Sequence, residues 1–231
     1  MRDGKRKMMD EGGLTKIKAK NREVRCVIYD CDGVLFDSFE ANTRLYNDLC
    51  AMVGREPLQE EEMEYVHSHT VYEAIHFIFG RGDELEKKGI EALKQVDLRN
   101  YIGYLKMEPY LFQTLNRLKE GGILRAINTN RTTSMKHIMD RFELWPLFDM
   151  VVTALDVKHP KPHPESIERI LQNFSLKKNE VVFIGDSEID RQTAHSSGVP
   201  FIAYKNGTLK ADFHIDNHLD LLGFLQFGNP S

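Results

Sequence analysis

The chain has 231 residues, enough for one full-sized domain or for one domain carrying a smaller insert. A hydrophobic share of 41% beside 29% charged residues is that of an ordinary soluble globular protein, and it excludes a disordered chain, a collagen and a disulfide-stapled miniature. The formal net charge of -4 does not mark a nucleic-acid binder, and no apolar run approaches the length of a membrane span.

Residues 1–22 hold eight Lys/Arg against three acidic residues. Lacking an apolar pattern, this basic segment reads as a solvated, flexible tail, and it lacks the apolar stretch of a signal peptide. Cys26, Cys31 and Cys50 are odd in number and show no metal-type spacing. They fit a reducing cytoplasm without a disulfide framework.

From residue 24 the pattern sharpens. Val24 to Tyr29 is a short, mostly apolar run, read as a buried strand, and it ends in Asp30-Cys31-Asp32-Gly33. Residues 38–105 contain no convincing strand and read as helices over 42–53, 59–67, 72–79 and 84–104. They form a helical insert, or cap, placed directly after the first strand. The remainder alternates. Strands are expected at 123–128, 150–153, 181–184 and 200–204, and helices from Pro109 to Gly121, over 132–141, 164–174 and 189–197, and near 217–225. Strand–helix alternation predicts an α/β core, a doubly wound parallel sheet with helices on both faces, formed by residues 23–37 and 106–231.

The chemistry-bearing residues fall at the ends of these strands. Asp30 and Asp32 follow the first, Thr129 and Asn130 the second, Lys161 the third, and Asp186, Ser187 and Asp190 the fourth. Ligands of open parallel sheets bind outside the carboxyl ends of the strands, so the residues converge on one crevice. Such a set suits phosphoryl transfer. One carboxylate attacks phosphorus, and a second, two residues on, handles the proton of the leaving group and of water. Clustered carboxylates with phosphate suit Mg²⁺, while a Thr hydroxyl and a Lys ammonium hold the phosphate. Gly33 permits a tight turn beneath it. Taken singly, Asp-x-Asp-Gly is a turn, Thr129 and Asp186 are helix caps, and Lys161 is a loop charge. Their joint placement after strands favours the functional reading. His159 and His163, without a third ligand in view, read as loop polar residues.

Asp30-Cys31-Asp32-Gly33-Val34-Leu35-Phe36-Asp37-Ser38 resembles the first motif of the haloacid dehalogenase superfamily. Asn128-Thr129-Asn130 is similar to its second motif, Lys161-Pro162-His163-Pro164-Glu165 to its third, and Gly185-Asp186-Ser187-Glu188-Ile189-Asp190 to its fourth. The resemblance covers residues 24–226 and is nearest to phosphoglycolate-phosphatase-like members with a helical cap. It implies a Mg²⁺-dependent phosphatase for a small phosphate ester, with Asp30 as nucleophile and Asp32 as general acid/base. It also implies phosphate binding by Thr129, Asn130 and Lys161. Metal would be held by Asp30, Asp186 and the Asp32 carbonyl, with Asp190, Ser187 and Gly33 in support. Specificity would come from the stretch around His69 and Thr70; His67 and His69 otherwise read as solvent-exposed.

Asp32 disfavours a dehalogenase, which lacks an acid there. Asn42 stands where capped sugar phosphomutases often carry His, and no Lys lies between Asn42 and Val53 for phosphonoacetaldehyde chemistry. Sugar phosphomutase, pyrophosphatase and a non-catalytic binding module remain the alternatives. No nucleic-acid or membrane partner is expected, and the sequence leaves the oligomeric state open.

Overall fold

A computed structural model describes residues 17–19 and 22–225. The first elements are β1 (Ile17–Ala19), β2 (Arg22–Val24), β3 (Cys26–Tyr29) and β4 (Phe36–Asp37). Five helices follow: α1 (Phe39–Val53), α2 (Glu60–Ser68), α3 (Val71–Phe79), α4 (Glu84–Gln95) and α5 (Arg99–Ile102). The chain continues through β5 (Lys106–Met107), α6 (Leu111–Glu120), β6 (Leu124–Asn128), α7 (Ser134–Arg141), β7 (Met150–Val152) and α8 (Glu165–Phe174). It finishes with β8 (Val181–Gly185), α9 (Glu188–Ser197), β9 (Phe201–Tyr204), β10 (Phe213–Ile215) and α10 (His218–Phe224).

Six strands form one parallel sheet in the order β10-β9-β8-β3-β6-β7. The period of two in each strand sends alternate side chains to opposite faces. Val27, Tyr29, Ile127, Val182 and Ile184 pack into one layer with α6, α7 and α10. Cys26, Ile28, Ala126, Val181 and Phe183 pack into the other with α8 and α9. Burial on both faces explains why these strands read as continuous apolar runs. After β3 the chain builds outward through β6 and β7, then returns to the other side of β3 with β8. The strand order therefore reverses at β3 and β8, and the crevice opens at their carboxyl ends.

The helical stretch from α1 to α5 has its own core, in which Leu45, Tyr46, Leu49 and Cys50 meet Ala74, Ile75, Ile78 and Phe79. Its two ends are joined by the antiparallel pair β4–β5, with Phe36 opposite Met107 and Asp37 opposite Lys106.

Three expectations change. The basic segment lies mostly outside the described residues, but Ile17–Ala19 pairs antiparallel with Arg22–Val24, so its end is not a plain tail. The single helix expected over 84–104 is two, because Asp97 turns its carboxylate onto the Arg99 backbone N–H (3.0 Å) and breaks the run. The sheet gains β10 beside β9, a three-residue edge strand too short to show a period.

Candidate active site

Asp30 follows β3 and donates its backbone N–H to the carbonyl of Ile184 on β8 (2.9 Å). Its carboxylate is buried and meets the Lys161 ammonium, with Oδ1 2.7 Å from Nζ. The same ammonium lies 2.6 Å from Asp190 Oδ1. Burial acts against the charge on Lys161, but Asp190 and Asp30 outweigh it and hold the ammonium protonated well above its ordinary range. Burial, then the Asp190 carboxylate, pushes Asp30 well above the usual carboxylate range, with Lys161 acting the other way. Asp186 is pushed up to about 7, by burial first and by Asp190 next.

The loop that carries Lys161 is clamped from two sides. Asn130 donates Nδ2 to the Lys161 carbonyl (3.1 Å) and accepts the Lys161 N–H on Oδ1 (3.0 Å). Its side-chain amide thereby positions the Lys161 loop, while Asn130 itself lines the same cavity as Thr129 and Lys161. On the outer side, Glu165 accepts the backbone N–H groups of Lys158 (2.9 Å) and His159 (3.1 Å). Glu165 thus stands beside His159 and His163, whose ring nitrogens lie with its carboxylate within 4.8 Å of one another. Thr129 is buried at the tip of β6, its N–H bonded to the Val152 carbonyl (3.0 Å) and its hydroxyl to the Arg131 N–H (3.1 Å).

Ser187 caps α9, its hydroxyl oxygen accepting the Asp190 N–H (3.2 Å), and that hydroxyl reaches Asp190 Oδ2 (2.6 Å). This reciprocal cap fixes the fully buried Asp190 with Oδ1 toward Lys161. Gly33 has φ +71°, and a Cβ there would collide with the Asp186 carboxylate. The tight turn after β3 therefore presses its backbone against Asp186. Carboxylate oxygens of Asp30, Asp186 and Asp190 lie within 4.8 Å of one another. These three buried or half-buried acids form a hard-oxygen donor set that suits a small divalent cation.

Sequence reasoning missed Arg131, one residue beyond the second motif. Its Nε donates to Asp32 Oδ2 (2.7 Å) and its Nη2 to Asp32 Oδ1 (2.5 Å). Burial alone would raise Asp32, but the guanidinium overcomes it and holds the carboxyl below its ordinary range. Asn42 Oδ1 lies 3.5 Å from Arg131 Nη2, and Asn42 Nδ2 lies 3.2 Å from His67 Nδ1. His67 is half-buried and stacked on Phe39 at 4.6 Å between ring centroids, not solvent-exposed as expected. The signal for Arg131 was a cation directly after Thr129-Asn130; nothing local pointed to its partner in the first motif.

A cavity of about 430 Å³ joins Asp30, Asp32, Thr129, Arg131 and Lys161 to the helical stretch through Tyr46, His67, His69 and Tyr72. His69 lines it, stacked on Tyr65 at 3.7 Å. Thr70 does not. Its hydroxyl donates to Glu73 (2.7 Å) and caps α3, so the expectation of a substrate contact there gives way to a helix cap.

The comparisons with known proteins agree with this architecture. The family described as "Haloacid dehalogenase-like hydrolase" matches residues 27–204. A phosphoglycolate phosphatase of Rhodobacter capsulatus is 28% identical over 196 residues, covering 80% of this chain and 85% of the relative. The pyrophosphatase PpaX of Bacillus cereus is 25% identical over 221 residues, 90% of this chain and 100% of the relative. The crystal structure of a subfamily IA hydrolase of the same superfamily from Geobacter sulfurreducens is similar, with a TM-score of 0.77 and 37% identity, over 87% of this chain and 100% of that one. By sequence match, sheet order and the gathering of four motifs at the strand tips, the chain belongs to the haloacid dehalogenase-like hydrolases.

Proposed function

We propose that the protein is a Mg²⁺-dependent phosphatase of small phosphate esters that works through an aspartyl-phosphate. The observation that carries this reading is the contact of one buried ammonium, Lys161, with both Asp30 and Asp190 beside Asp186. A relative named phosphoglycolate phosphatase and another named pyrophosphatase support it.

Asp30 attacks phosphorus. A bond forms from its carboxylate oxygen as the phosphorus–oxygen bond to the leaving group breaks, and Asp32 supplies the leaving oxygen with a proton. Asp32 then takes a proton from water, which displaces Asp30 from phosphorus and releases phosphate. The Arg131 pair keeps Asp32 ionised, the form needed for the water step, so the earlier proton donation requires that pair to loosen. Lys161 steadies Asp30 and offsets phosphate charge, and Thr129 offers its hydroxyl. Asp30, Asp186 and the Asp32 carbonyl would hold Mg²⁺, which would neutralise phosphate charge when bound.

The helices from α1 to α5 act as a cap. They share the cavity wall with the strand tips and are tethered by β4–β5, so a bound ester is screened from bulk water. Asn42 is engaged with Arg131 and His67 and offers no titrating group at the position expected of a mutase acid/base. Three free, buried cysteines fit a reducing cytoplasm, and no helix among the described residues is long and apolar enough to cross a membrane.

The test is hydrolysis of a panel of phosphate esters, including p-nitrophenyl phosphate, by purified protein with Mg²⁺. Turnover that disappears in Asp30→Asn supports the reading. No turnover of any ester, or an Asp30→Asn protein as active as wild type, overturns it.

A further inference from the structure

Arg131 holds more hydrogen-bonding capacity than Asp32 uses. Its Nε and one Nη2 proton go to the carboxylate, and Nη2 also faces Asn42 Oδ1. Nη1 has no hydrogen bond to any described residue, although the side chain is only 14% exposed and lines the cavity. A guanidinium carries five donors in a fixed fork, so its unused edge remains a ready-made anion site.

A second orphan lies close by. Because Asn42 turns its oxygen toward Arg131, its Nδ2 donates to His67 Nδ1, which leaves the ring proton of His67 on Nε2. That nitrogen is buried and has no partner, and His67 also lines the cavity. A buried donor without an acceptor costs free energy that a bound oxygen would recover. The chain Asp32–Arg131–Asn42–His67 thus runs from the first motif into the helical cap and ends in two groups that lack an acceptor.

We propose that Arg131 Nη1 and His67 Nε2 form a subsite for a second anionic group of the substrate, distinct from the phosphate held by Lys161 and Thr129. The substrate class is then a small phosphate ester or anhydride with a carboxylate or a second phosphate a few bonds from the transferred phosphorus. A neutral leaving group leaves the buried His67 Nε2 unpaired and Arg131 Nη1 to water alone. Arg131 contacts Asp32 directly, so an anion on its free edge lies within a small molecule's span of Asp30. The cap contributes through His67, so the second anion also fastens cap to core. This inference rests on the phosphatase reading and specifies its substrate.

The experiment compares kcat/KM for 2-phosphoglycolate, inorganic pyrophosphate and ethyl phosphate, which has no second anion, with Mg²⁺ present. Wild-type protein should favour at least one of the first two over ethyl phosphate by about 10–100-fold, the worth of one charge-assisted hydrogen bond. A preference for 2-phosphoglycolate assigns a carboxylate, and a preference for pyrophosphate a second phosphate. Arg131→Gln lowers every rate because Asp32 loses its partner, so the readout is the ratio. That ratio should shrink by about tenfold or more, carried mainly by KM. His67→Phe, which leaves the Asp32 pair in place, should shrink it in the same direction and serves if Arg131→Gln does not fold. A ratio unchanged in both variants, or a wild-type protein indifferent to the second anion, overturns the subsite while leaving a phosphatase. Wild-type protein that hydrolyses none of the three esters takes down the phosphatase reading itself.

Discussion

Arg131 grips both carboxylate oxygens of Asp32 across 99 positions of chain, from the loop after β6 to the loop after β3. The two side chains are 14% and 17% exposed, so the pair is mostly shielded from water. Removing one partner of such a pair strands the other's charge. Arg131→Gln should therefore cost about 3–5 kcal/mol. Adding Asp32→Asn should return part of that, because the stranded carboxylate is gone. Urea unfolding of the four proteins of this cycle should give a coupling of about 2 kcal/mol. Additive losses would show that the contact contributes nothing of its own. The sign with pH follows from Asp32's lowered pKa: the contribution is full above the ordinary carboxylate range and is lost as acid protonates the folded carboxyl.

Divalent cations should stabilise the protein, and more so at higher pH. Asp186 binds its proton more tightly in the folded state, up to about 7. Its contribution to stability is therefore greatest in acid and falls as pH rises toward 7. A cation needs the ionised carboxylate and offsets that loss. At a concentration a hundredfold above its Kd, Mg²⁺ should raise Tm by about 5–10 °C at pH 8, and by less at pH 6. Asp186→Asn should remove the response. A shift of equal size at both pH values, or one that survives in Asp186→Asn, would place the cation elsewhere.

Gly33 allows the turn after β3 to pass against Asp186. Gly33→Ala combines a left-handed backbone with a collision at that carboxylate, and should cost about 2 kcal/mol or more. The Mg²⁺ thermal shift should fall with it. Gly207→Ala, where a Cβ meets nothing, is the control and should match wild type. Thermal melts with and without Mg²⁺ decide the matter.

His218 fastens α10 to the same turn, donating Nε2–H to the Val34 carbonyl (2.8 Å). Burial holds its pKa down at about 4, so the ring is neutral in the fold at neutral pH. The unfolded chain takes up a proton near the ordinary value of 6.5. Stability is thus full above that value and declines as pH falls toward 4, by about 3 kcal/mol. His218→Gln should flatten the decline between pH 6.5 and 4.5 in urea titrations. Parallel slopes for the two proteins would clear His218 of the effect.

Much of the architecture was written in local pattern. Val27 to Tyr29 and Val181 to Ile184 are buried on both faces and so read as apolar runs, while Pro, Gly and acidic caps marked helix ends. The acids and Lys161 were legible because each follows such a run. Other features had no local signature. The β4–β5 tether pairs two-residue strands far apart in the chain, Phe36 with Met107 and Asp37 with Lys106, and β10 is too short to show a period. Thr70 looked like a ligand contact in sequence, yet it caps α3, and nothing local told that the Asn130 side chain clamps the Lys161 loop.

The amino-acid order by itself determined the strand–helix alternation, the place of the helical insert and the identity of the acids at the strand ends, because burial period and capping act over a few residues. Only the tertiary structure decided that Arg131 belongs to Asp32, that Lys161 divides its charge between Asp30 and Asp190, and that His67 ends a polar chain on the cavity wall. Those relations depend on distance through folded space, where burial strengthens each charge and decides which partner it needs.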